Sequence, residues 1–226
     1  MEPVTIGIVS LLVLFVMLVL AIPIGIAMGL AGLGGMAAII GFGPALSLFG
    51  TTVYETAVTY DLSIVPLFVL MGAVATRSGL SKELYSAFNA WFGAMRGGLA
   101  LATIGACGAF AAICGSSVAT AATMSNVALP EMKRFHYADS LATGSVAAGG
   151  IIGILIPPSV ILVLYGVLTE TSIGDLFIAG FLPGILTILG FMLVIAIVTR
   201  LHPEMGPRGP KTTGREKLAA LGQTWA

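Results

Sequence analysis

Two uncharged stretches of this chain place oxygen atoms and irregular backbone inside long apolar runs. The first reads Cys114-Gly115-Ser116-Ser117-Val118-Ala119-Thr120, with backbone freedom at Gly115 and hydroxyls on Ser116, Ser117, Thr120 and Thr123. The second reads Gly149-Gly150-Ile151-Ile152-Gly153-Ile154-Leu155-Ile156-Pro157-Pro158-Ser159. Pro157 and Pro158 have no amide hydrogen, so a helix running into them leaves the carbonyls of Gly153 and Ile154 without their i+4 donors. Ser159 adds a hydroxyl where the chain can become helical again. Neutral oxygens of this kind suit a hard monovalent ion whose hydration shell they replace. Proton coupling would call for Asp, Glu or His within the membrane, yet all ten acids and both histidines lie at or beyond the edges of apolar runs. Sodium is the expected ion. Half-helix amino ends at such breaks also face anionic substrate groups. Asn126, on the arm returning from the first stretch, is a further candidate ligand.

Plainer roles exist for the same residues. Ser, Thr, Gly and Ala in membrane helices commonly serve close packing, which is open for Thr120, Thr123, Ser125, Ser145 and Asn126, and a double proline can be a kink. The conjunction of a polar glycine tip with a proline-broken span is more specific than either part. Hydrolysis at Ser116 or Ser117 would need a general base within hydrogen-bond reach, and His136 and His202 lie at predicted interfaces. The chain is not expected to be an enzyme.

The surrounding elements are those of an all-α integral membrane protein: 58 % of residues are hydrophobic, 9 % are charged and mean hydropathy is +1.06. Net charge is zero and no basic tract is offered to nucleic acid. The first apolar run follows Glu2 without a basic region and reads as a retained span. At about twenty residues per crossing, spans are predicted at 4–22 and 24–43, broken at Pro23 and ended by Gly41, Gly43 and Pro44, with a third at 61–79. Residues 81–95 put Leu84, Phe88, Trp91, Phe92 and Met95 near one face of an interfacial helix. The uncharged segment 97–130 has Arg96 before it and Lys133 and Arg134 after it. If cations mark the cytoplasmic side, it enters and returns to the same face as a re-entrant hairpin. Cys107 and Cys114 are seven residues apart, about 10 Å along one helix, and cannot pair there.

The organisation that follows is scaffold spans in 1–60, a span and interfacial arm in 61–96, the hairpin in 97–132, a broken helix in 138–170, a last span in 174–200 and a basic tail in 201–226. That gives five transmembrane helices and one hairpin, the amino terminus outside and the tail cytoplasmic. An odd-numbered unit repeated in one chain would be inverted, as in inverted-repeat transporters. Only one such unit is present, and the run from Lys217 reads as the start of a further amphipathic helix.

Met95-Arg-Gly-Gly-Leu-Ala100, Ile113-Cys-Gly-Ser-Ser-Val-Ala119, Leu129-Pro-Glu-Met132, Ile156-Pro-Pro-Ser159, Tyr165-Gly166, Ser172-Ile-Gly-Asp-Leu-Phe177 and Ala179-Gly-Phe-Leu-Pro-Gly184 occur in this order. In them the chain resembles the amino-terminal half of the large membrane subunit of TRAP, the tripartite ATP-independent periplasmic transporters. The resemblance implies sodium-driven uptake of an organic acid across the bacterial inner membrane by an elevator motion. It also implies an extracytoplasmic substrate-binding protein, a small four-span subunit and a second half of the large subunit as partners. Carried over, Gly115, Ser116, Ser117, Gly153, Ile154, Ile156, Pro157 and Ser159 form a sodium site. The carboxylate then lies beside Ser116, Ser117, Thr120, Asn126 and Pro158. The family's large subunit is about twice as long, and many relatives have an acid where this chain has Thr120. A divalent-anion sodium symporter without a binding protein, or a membrane assembly subunit that does not transport, are the rival readings.

Overall fold

The computed structural model describes residues 2–209 together with Lys217 and Ala220, the side chains of Tyr60 and Asp61 excepted. The amphipathic helix expected from Lys217 onward lies almost wholly outside the described residues. Two compact units divide the chain after Tyr60.

The first unit holds α1 (Pro3–Val19), α2 (Ile24–Ile40) and α3 (Phe42–Val58). Pro23 separates α1 from α2 as expected, because proline biases the residue before it away from helix. Small residues carry the packing: Ala27 and Ala45 are fully covered, and Gly35 lies against the Ser10 hydroxyl. The third helix corrects the sequence reading, which left 44–60 without an element. Gly41, at φ +90, does end α2, but Pro44 then sits in the first turn of α3, where a missing N–H costs nothing. The same Gly-Phe-Gly-Pro run is both a stop and a start.

After a single 3-10 turn, Tyr60–Ser63, the second unit begins with α4 (Ile64–Arg77), shorter than the span predicted at 61–79. It meets α5 (Leu80–Phe92) at 63°. Leu84, Phe88 and Phe92 of α5 pack on the core as their spacing predicted. Trp91 and Met95 do not, being about half exposed, and Lys217 Nζ stands 5.8 Å from the Trp91 ring.

The hairpin is α6 (Gly98–Cys114) and α7 (Ser117–Arg134), with Gly115 and Ser116 alone between them. Fourteen of the seventeen residues of α6 are buried. A helix apolar on every side becomes the centre of its unit, and glycines let its neighbours approach. A Cβ on Gly108 would come 2.5 Å from Ile188, and one on Gly149 would come 2.5 Å from the Cys107 sulfur. Phe110, Leu99 and Ile104 are fully buried in this core, and Cys107 and Cys114 are free thiols.

Next come α8 (Asp139–Leu155), the break, α9 (Val160–Thr169) and α10 (Ile173–Leu201). The Asp139–Thr169 segment and α10 are each long and apolar enough to cross a membrane. Ile178, Leu168 and Val19 are more than 70 % exposed, and many other large apolar side chains are exposed to a lesser degree. Such surface belongs against lipid or protein.

Candidate functional site

The two irregular stretches meet. Gly115, at φ +61, occupies the left-handed region that glycine adopts without strain, and the turn it makes brings α7 back along α6. A Cβ on Gly115 would lie 2.5 Å from the Pro158 carbonyl oxygen, so backbone rests on backbone here. The Val160 amide donates to the Gly115 carbonyl at 3.5 Å, tying the tip to the break. Deeper along the same interface, Gly150 lies 3.2 Å, measured from an added Cβ, from the Ser117 carbonyl. Gly153 would put a Cβ 2.8 Å from the Ser116 carbonyl and 3.0 Å from Thr120 Oγ1.

Each serine at this junction begins a helix. Ser116 Oγ accepts the Ala119 amide at 3.4 Å to cap α7, and Ser159 Oγ accepts the Leu162 amide at 3.5 Å to cap α9. Serine at this position satisfies one of the amides a helix start leaves free. Two helix amino ends therefore open at one place, and the partial positive charge of each favours an anion.

An open cleft of about 450 Å³ lies over them. Its floor is the tip and first turn of α7, from Cys114 to Ala119, with Ile154, Val160 and Ile161 beside it. One wall comes from Val69, Gly72, Ala73 and Thr76 of α4, which sequence reasoning did not select. The signal was present: Gly72 in an apolar helix lets α4 approach so closely that its Cβ would lie 3.1 Å from the Cys114 carbonyl. Among the described residues no Asp, Glu, His, Lys or Arg lines the cleft. Among the described residues no cluster of His, Cys, Asp and Glu could hold a transition metal.

Not every expected ligand lies where it was placed. The Ile154 carbonyl, expected to be left open by the prolines, accepts the Ser159 hydroxyl at 2.9 Å. Ser159 is fully covered and Ile156 is buried, and neither lines the cleft. Pro157 and Pro158 form the turn itself, with a cis bond between them, and Pro158 presents its carbonyl to Gly115 and not to the cleft. Asn126 lines a separate cleft of about 470 Å³ between α7 and α8, with Lys133 and Asp139. Ten residues of α7 separate it from Ser116, about 15 Å of helical rise. Ser125 and Ser145 turn their hydroxyls back to the carbonyls of Ala122 and Leu141, as packed helix serines do.

Thr120 also turns away from the cleft. It is fully buried on the face of α7 that meets Gly153, and its hydroxyl has no hydrogen-bond partner. The Cys114 thiol is near enough to feel it but does not complete a hydrogen bond. Buried polar groups are rarely left so.

Known proteins similar to this chain point to one family. The family model described as the DctM component of the tripartite ATP-independent periplasmic transporter matches residues 11–226. The C4-dicarboxylate TRAP transporter large permease protein DctM of Pseudomonas aeruginosa is 42 % identical over 190 residues, covering 84 % of this chain and 44 % of that protein. The isethionate TRAP transporter permease protein DctMQ of Oleidesulfovibrio alaskensis is 39 % identical over 176 residues, 77 % of this chain and 27 % of that one. The Vibrio cholerae large permease DctM is 33 % identical over 205 residues, 90 % of this chain and 44 % of its own. The chain thus spans less than half the length of these relatives. The chain, matched over residues 11–226, belongs to the family of the DctM component of the tripartite ATP-independent periplasmic transporter.

Proposed function

We propose that this chain forms one half of the large subunit of a binding-protein-dependent transporter that takes up an organic acid with sodium. Family membership implies a multi-pass protein of the inner membrane. The observation that carries the substrate reading is the convergence of the α7 and α9 amino ends on one cleft whose described lining has no charged side chain. A carboxylate, or another small oxyanion, lowers its free energy there through amides that the helices leave unpaired. The relatives differ in what their names say they carry, C4-dicarboxylates in some and isethionate in another. A site made of backbone amides and serine hydroxyls suits that breadth, because it reads charge and little else.

Sodium coupling rests on Thr120. Its orphaned hydroxyl faces the Cα of Gly153 beside the Ser116 carbonyl, two neutral oxygens of the kind that replace a hydration shell. The ion would join the hairpin to the broken helix and so complete the surface on which the acid sits, which couples their binding. In this reading the hairpin dips into the membrane and returns, its flanking basic residues stay cytoplasmic, and the site moves by an elevator displacement. The second half of the subunit, a small four-span subunit and an extracytoplasmic binding protein complete the transporter.

The test is uptake of labelled dicarboxylates, sugar acids and sulfonates by proteoliposomes holding the complete transporter. Uptake should require sodium and fall at least tenfold when Ser116 and Ser117 are both replaced by Ala. Sodium-independent uptake, or wild-type behaviour of the double variant, would overturn the reading.

A further inference from the structure

After α10 the chain does not leave the molecule. Residues 202–209 run back past the two ends of the hairpin and are bonded to the residues that flank it. The Ala138 amide donates to the Met205 carbonyl at 3.0 Å, the Gly97 amide to the Gly206 carbonyl at 2.9 Å, and the Gly209 amide to the Gly93 carbonyl at 2.9 Å. Tyr137 is inserted at the centre: its hydroxyl donates to the Pro207 carbonyl at 2.9 Å and accepts the Leu99 amide at 3.2 Å. Thr199, at the end of α10, donates to the Ile195 carbonyl at 2.8 Å and approaches the Arg96 carbonyl at 3.4 Å.

Glycines make this lacing possible by close approach. A Cβ on Gly206 would lie 2.8 Å from Thr199 Cγ2 and 3.0 Å from the Gly97 Cα, and one on Gly209 would lie 2.7 Å from the Gly93 carbonyl oxygen. Gly97, at φ +67, would bring a Cβ within 2.6 Å of the Thr199 methyl. Gly79 between α4 and α5 is the opposite case, with φ +84 and no heavy atom within 4 Å of an added Cβ.

We propose that residues 202–209 are a permanent strap that fuses the α5–α6 elbow, the root of the hairpin and the end of α10 into one body. The strap contributes backbone hydrogen bonds at both ends of the elbow, Gly93 and Gly97, so the elbow cannot open without breaking them. The inference does not depend on sodium coupling or on the nature of the substrate.

Hydrogen exchange on the full-length transporter in lipid nanodiscs, in sodium chloride and in potassium chloride, tests it without reference to transport. The amides of Gly97, Ala138 and Gly209 should be slow and equally slow in both salts. Tyr137→Phe, which keeps the ring and removes the hydroxyl, should speed exchange at Leu99 about tenfold, the loss expected for one hydrogen bond. A cross-link between Ala138→Cys and Met205→Cys should then leave uptake within twofold of the reduced protein. Exchange at the unprotected rate in either salt, a tenfold difference between salts, or uptake stopped by the cross-link and restored by reduction would each overturn the strap.

Discussion

Replacing Thr120 by Val separates an ion ligand from a packing residue by the sign of two effects. Valine keeps the branched shape and removes only the hydroxyl, which is buried and unpartnered. An unsatisfied buried hydroxyl costs about 1–3 kcal/mol, so without sodium the variant should be more stable than the parent by about 1 kcal/mol. Sodium at a hundred times its dissociation constant stabilises the parent by about 2.7 kcal/mol. If losing one ligand weakens the site tenfold, the same concentration is only ten times the new constant and stabilises by about 1.4 kcal/mol. The variant therefore gains in potassium and loses about half of its response to sodium. Denaturation midpoints of the purified transporter in the two salts read both quantities. Gain in potassium with an unchanged sodium response would reduce Thr120 to an imperfectly packed side chain and remove the argument for the ion site.

Gly153→Ala should abolish the sodium response more completely than Thr120→Val, because its Cβ would enter the space between the Ser116 carbonyl and Thr120 Oγ1, and a helical carbonyl yields little; the same melting experiment checks it. Asn126→Ala should leave both the sodium response and the half-saturating substrate concentration within twofold, since Asn126 lines the other cleft, and uptake kinetics test this. Phe110→Ala should destabilise the hairpin by about 3–5 kcal/mol, the usual loss for a fully buried aromatic, read as a lower unfolding midpoint in either salt. Burial raises the Tyr137 phenol above its ordinary value of 10.0, against a smaller opposing effect of the Leu99 amide. A group with a raised folded value contributes its stability below the unfolded value and loses it as pH climbs through the folded one. Exchange protection at Gly97 and Ala138 should thus be flat from neutral pH to 10.0 and decline only above it.

The chain dictates its own class: apolar runs long enough to cross a bilayer, with charges confined to their edges, leave helices as the stable backbone because each satisfies its own amides. The broken helix was legible from Pro157 and Pro158, which remove two successive amide donors, and the hairpin from the cations flanking 97–130 with Gly115 near its middle. Local rules also erred locally. Gly41 to Pro44 was read as an end when it is an end followed by a beginning, so α3 was missed.

Side-chain direction was beyond them. The same hydroxyl chemistry occurs at Ser116, Thr120 and Ser125, and only the packing of α7 against α8 decides that one caps a helix, one is buried against Gly153 and one bonds its own backbone. Nor does spacing reveal that Ser159 takes the Ile154 carbonyl, that α4 walls the cleft, or that a tail after α10 returns to Gly93 and Gly97. These contacts join residues as far as 116 positions apart, Gly93 to Gly209. Periodicity carries information over a few turns of helix, whereas a site assembled from five elements exists only once their faces have been chosen by the burial of α6.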